Sequence, residues 1–186
     1  MTHTYPVRST KEQFRNNMFH IVTDEVEMSD GAVLARDYMV HVGAVGVVAL
    51  DDEDRVVLVR QYRHPVRQFL WELPAGLIDV AGEGLAEAAL RELTEEADLI
   101  AESVIHLIDI HPTPGCSNER IRLFLARSLT EVPVEEQHER HGEEIDIEVR
   151  RVPLAQAVQM IFRGEITNGA AVAGILAAAN LVRLEE

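Results

Sequence analysis

The sequence predicts a mixed α/β (α+β) protein in which extra N-terminal strands precede the main domain. Three observations lead there. Valine-rich apolar runs in the first half of the chain are broken by short acidic turns. At Gly84 the apolar period changes from that of a strand to that of a helix. Two further helical segments close the chain, so strands and helices are interleaved.

Taken in order, residues 1–15 are polar and read as poorly ordered. From Phe19 to Val42 apolar stretches flank Met28-Ser29-Asp30-Gly31, and an Asp-Gly pair so placed predicts a hairpin. Val40 to Leu50, the acidic turn Asp51 to Asp54 and the run Val56 to Val59 predict a second, largely buried hairpin. Phe69 to Leu73 is a short strand ended by Pro74-Ala75-Gly76. Ala86, Leu90, Leu93 and Ala97 then recur at helical spacing and predict the core stripe of a helix. Ile105 to Ile110 and Ile121 to Ala126 read as strands around the loop His111 to Arg120. Glu131 to Glu144 is a polar loop. Ile145, Ile147 and Val149 alternate with polar neighbours, as in a half-buried strand. Leu154 to Arg163 and Ala170 to Leu184 predict the closing helices. Residues 1–42 are thus expected as the strand extension and 43–186 as the main domain.

Composition narrows the function. Hydrophobic residues make up 47% of the chain, enough for a proper core. Seventeen Lys+Arg face 32 Asp+Glu, a formal charge of −15, and no basic patch offsets it. Nucleic acid and anionic lipid are therefore not expected partners. Cys116 is the only cysteine, so no intrachain disulfide is possible. The first 16 residues carry no apolar signal region, no run approaches the length of a membrane span, and a cytoplasmic setting is expected.

The informative segment is Gly76 to Leu99. On a helix at about 100° per residue, Glu92, Glu95 and Glu96 share one sector beside the apolar stripe. Like charges so placed destabilise a helix by a few tenths of a kcal/mol per pair, and they sit at the end where the dipole disfavours anions. A solvated acidic face with Arg91 as ion-pair partner is the plain explanation. A divalent cation among the carboxylates is the sharper one, since hard cations take oxygen ligands.

Arg91-Glu92-Leu93-Thr94-Glu95-Glu96, with Gly76 and Glu83 upstream, resembles the Nudix box. The interval from Gly76 to Glu83 is one residue longer than usual, and Asp98 stands where the box has its second glycine. That position closes the helix, where a left-handed residue is common and Asp is tolerated. Arg60-Gln61-Tyr62-Arg63, Trp71-Glu72-Leu73-Pro74-Ala75-Gly76, Pro112-Thr113-Pro114-Gly115 with Ser117 and Glu119, and Gly164-Glu165-Ile166-Thr167-Asn168 are similar to the ADP-ribose pyrophosphatase branch.

The resemblance implies a mixed β-sheet between helices and a homodimer built through the N-terminal strands. It implies Mg²⁺-dependent hydrolysis of ADP-ribose to AMP and ribose 5-phosphate, with Mn²⁺ as an alternative cation. Another nucleoside-diphosphate sugar or NADH is the rival substrate, and a non-catalytic nucleotide sensor the rival class. Glu92, Glu96 and Glu95, with the carbonyl of Ala75, are the implied metal ligands. Arg91 and Glu83 hold them in place. The base is expected in the late acidic loop, at Glu143 or Glu144, with His141 a weaker candidate. Arg63, Glu72, Glu119 and Arg36 are candidate substrate contacts. Trp71 reads as core, and Cys116 as a bystander.

Overall fold

The computed structural model describes residues 4–140 and 145–185. The described chain divides into two compact units, one of residues up to Gly43 with His111–Arg120, the other of Ala44–Ile110 and the chain from Ile121 onward.

The first unit is a three-stranded antiparallel sheet, β1 (Val7–Arg15), β2 (Phe19–Glu27) and β3 (Val33–His41), in that order. The hairpin expected at Met28 to Gly31 forms between β2 and β3, and Gly31 takes a φ of 83° in the turn. The expectation that the first 15 residues lack order is overturned for Val7–Arg15, because β1 pairs along β2. Polar cross-strand contacts replace apolar ones: Arg8 pairs with Glu27, Ser9 with Glu25, Thr10 with Asp24 and Gln13 with Thr23. The loop His111–Arg120 joins the end of β3 through Met39 N–H to the Cys116 carbonyl (2.8 Å) and His41 N–H to Asn118 Oδ1 (2.8 Å).

The second unit holds two sheets. β7 (Ala75–Leu77), β4 (Ala44–Ala49), β9 (Ile121–Glu131) and β8 (Leu99–Ile110) form one, with β4 and β9 parallel. β10 (Glu148–Pro153), β5 (Arg55–Arg63) and β6 (Gln68–Glu72) form the other, antiparallel throughout. The second predicted hairpin is therefore corrected. β4 and β5 enter different sheets and are bridged in the ladder sense at Leu50–Val56 alone among the described residues, because β4 pairs with β7 and β9. The strand expected from Ile145 begins at Glu148, and Ile145 is exposed.

Helices cover both faces. α1 (Leu85–Ala97) packs Ala88, Ala89, Leu93 and Ala97 over Val45, Val47, Val57 and Val59. α2 (Leu154–Phe162) and α3 (Gly169–Glu185) close the other face over Val48, Leu58, Leu73 and Leu123. Alternate residues of β4 and β5 feed the two cores, so each strand is apolar on both sides. This is the expected sheet-between-helices arrangement. Among the described residues no helix is long and apolar enough to cross a membrane.

Candidate active site

The site is built on α1 and the β6–β7 turn. The predicted stripe on α1 is rotated. Ala86 and Leu90 are only half-buried, while Glu92 and Glu96 share the buried face at 9% and 6% exposure. The reason lies at Gly76 on β7. A Cβ there would overlap the Glu92 carboxylate, so the glycine lets the helix bring that carboxylate onto the strand backbone.

Arg91 gathers the acids. Its Nε and Nη2 donate to Glu83 at 3.0 and 3.2 Å, and Nη1 donates to Glu92 Oε1 (2.6 Å) and Glu95 Oε2 (3.1 Å). Arg91 thus brings Glu83 to the same guanidinium as Glu92 and Glu95. Glu96 is held differently. Its Oε2 accepts the Ala75 N–H at 2.9 Å and its Oε1 accepts from Gln61 Nε2 at 3.4 Å.

Burial dominates the electrostatics. It pushes the Glu96 carboxyl up to about 7, against the Ala75 N–H that favours the charged form, with Glu92 nearby adding to the rise. Burial also raises Glu92, partly offset by Arg91. Two desolvated carboxylates one helical turn apart need positive charge nearby.

Arg63 and Glu72, expected as separate substrate contacts, are brought to each other. Arg63 Nε and Nη2 donate to the two Glu72 oxygens at 3.0 and 2.7 Å, and Glu72 is 3% exposed. Glu119 and Arg36 lie in the N-terminal unit. Glu119 Oε1 is 3.7 Å from His41 Nδ1, and exposed Arg36 donates to the Ala35 carbonyl. Trp71 is core, as expected, with the Arg60 and Arg150 guanidinium groups 5.7 and 4.5 Å from its ring centre. Cys116 is exposed. Glu143, Glu144 and His141 lie outside the described residues. Among those described, no three His, Cys, Asp or Glu side chains converge into a ready metal cluster, and Arg91 lies between Glu92 and Glu95.

Two residues escaped the sequence reading. Arg140 donates to the carbonyls of Glu95 (3.2 Å) and Glu96 (3.0 Å) and to the Asp98 carboxylate, capping α1. Its partners lie more than 40 residues upstream, so no local signal announces it. Gln61 belongs to the Arg60-Gln61-Tyr62-Arg63 run that carries the resemblance, which assigns it no role. A polar residue continuing the apolar row Val57, Val59 was the available signal.

The NUDIX domain model matches residues 40–172. This chain belongs to the NUDIX family. The Nudix match is extended by an ADP-ribose pyrophosphatase of Mycobacterium tuberculosis, 41% identical over 175 residues, 94% of this chain and 83% of that protein. An ADP-ribose pyrophosphatase of Bacillus subtilis is 32% identical over 157 residues, 84% of this chain and 83% of that one. A crystal structure of an ADP compounds hydrolase superposes with a TM-score of 0.84, covering 100% of this chain and 97% of its own at 20% identity. That likeness fixes the Nudix fold. The chain is a Nudix enzyme, and the family generally works with divalent cations.

Proposed function

We propose that this Nudix enzyme hydrolyses the diphosphate of ADP-ribose to AMP and ribose 5-phosphate, with Mg²⁺ bound by Glu92 and Glu96. The observation that carries the reading is the buried pair Glu92 and Glu96 set against the β7 backbone at Gly76. The relatives' substrate agrees with it.

The residues fit a hard divalent cation. The donors are carboxylate oxygens, burial raises the pKa of both groups, and the glycine leaves one of them against the backbone. Glu92 and Glu96 would hold the cations, with Glu95 and the Ala75 carbonyl assisting. Bound there, the cations neutralise phosphate oxygens and acidify water. The chain supplies the rest. Arg91 keeps Glu83, Glu92 and Glu95 in register, and the Ala75 N–H orients Glu96. A water oxygen bonds to one phosphorus, the bond from that phosphorus to the bridging oxygen breaks, and the water's proton passes to Glu143 or Glu144. Glu72 fixes the Arg63 guanidinium in one plane, as a bidentate partner does.

We also read the chain as a cytosolic homodimer joined through its N-terminal strands, a reading supported by exposed Val7, Phe14, Val33 and Leu34 on that sheet. Hydrolysis is tested with ADP-ribose, Mg²⁺ and an EDTA control, beside other nucleoside-diphosphate sugars and NADH. A clearly higher kcat/KM for another compound overturns the substrate, and equal turnover in EDTA overturns the cation.

A further inference from the structure

We propose that Gln61 is a positioning residue that sets the plane of the Glu96 carboxylate. It rests on the reading of Glu96 as a cation ligand and goes one layer behind it.

Gln61 is 5% exposed and lies on β5 in the row that faces α1, after Val57 and Val59. An aliphatic residue there would extend the core. An amide instead costs free energy on burial unless it is hydrogen-bonded. Its Nε2 reaches Glu96 Oε1 at 3.4 Å, and the Ala75 N–H reaches Oε2 at 2.9 Å. The terminal torsion of a glutamate is soft, so a single donor leaves the carboxylate plane free to turn. Two donors, one on each oxygen and from different strands, fix that plane. Each oxygen keeps a second lone pair, which a cation can use. Groups that orient ligands in this way typically change metal affinity or activity by about 10–100-fold when removed. Gln61 carries no charge, so it orients Glu96 without competing for the cation.

The test compares wild type with Gln61→Leu, Gln61→Met and Glu96→Gln. Mn²⁺ binding is measured by electron paramagnetic resonance and thermal unfolding in EDTA. Both Gln61 variants are expected to weaken Mn²⁺ binding about tenfold. Their Tm in EDTA stays level or rises, and KM for ADP-ribose at saturating cation stays within about twofold. A packing role alone lowers Tm and leaves the Mn²⁺ Kd in place, which overturns the proposal, as does failure of both variants to fold. If Glu96→Gln also leaves the Mn²⁺ Kd unchanged, it is the ligand assignment of Glu96 that falls.

Discussion

Glu96 sets function against stability within one side chain. Its pKa in the folded protein lies near 7, above the ordinary 4.5, so the folded state binds that proton more tightly than the unfolded chain. Its ionisation therefore costs stability as pH rises from about 4.5 to about 7, and the full cost is present above that. In EDTA at pH 8, Glu96→Gln is expected to raise Tm by a few degrees. The same change should cut kcat by orders of magnitude, as should Glu92→Gln. Calorimetry beside an activity assay checks both, and retained activity sinks the ligand assignment. Gly76→Ala forces a methyl into the Glu92 carboxylate and should cost about 1–3 kcal/mol in denaturant unfolding, with loss of activity. The identities of Glu92, Glu95, Glu96 and Arg91 were legible because box spacing is a local pattern. Their burial was not, since it depends on a glycine on another strand. The mutual pairing of Arg63 and Glu72 was equally hidden, for the register of β5 on β6 sets Arg63 opposite Gln68 and Glu72 opposite Val59, and the long arginine side chain reaches across that offset.

At the scale of elements, α1 ends as the sequence allowed and is held as it did not reveal. Asp98 takes the left-handed conformation (φ 54°, ψ 39°), and its N–H bonds back to the Thr94 carbonyl at 3.1 Å. The aspartate in place of glycine accepts strain there, and its carboxylate gains Arg140 as a partner. Arg140→Ala removes three contacts from the C-terminal turn and should cost about 1–2 kcal/mol. Asp98→Gly should cost less, because it relieves the backbone while losing the pair. A double-mutant cycle with additive effects would show that the two residues are not coupled. The β4–β5 turn carries its own pH dependence. Burial alone would raise the Asp51 carboxyl, but the N–H groups of Arg55 and Glu53 and the Arg55 guanidinium outweigh it and hold it below 3.8. Asp51 therefore contributes stability above 3.8 that is lost as pH falls through the folded value. Asp51→Asn should destabilise at neutral pH and differ less from wild type in acid. A constant difference across the titration refutes it.

For the whole molecule, fold class and both sets of helices were legible from periodicity, because α1, α2 and α3 each show an apolar pattern of their own. Sheet membership was not. β4 and β5 are neighbours in sequence but strands of different sheets, and only distant pairings with β9 and β10 decide that. β1 was missed because its bonding is polar, which a search for apolar alternation passes over. The same N-terminal sheet carries the dimer prediction. Phe14→Asp with Leu34→Asp should convert a dimer to a monomer in size-exclusion chromatography with light scattering. An unchanged mass places the interface elsewhere.

The single indole, with two guanidinium groups from neighbouring strands over its ring, gives the enzyme a built-in optical gauge. Trp71 reports from the one place where Arg60 of β5 and Arg150 of β10 converge. With the ring shielded at 9% exposure, its emission is expected to shift to the red when the β10-β5-β6 sheet comes apart. Unfolding of that sheet can thus be followed by intrinsic fluorescence, with no label attached.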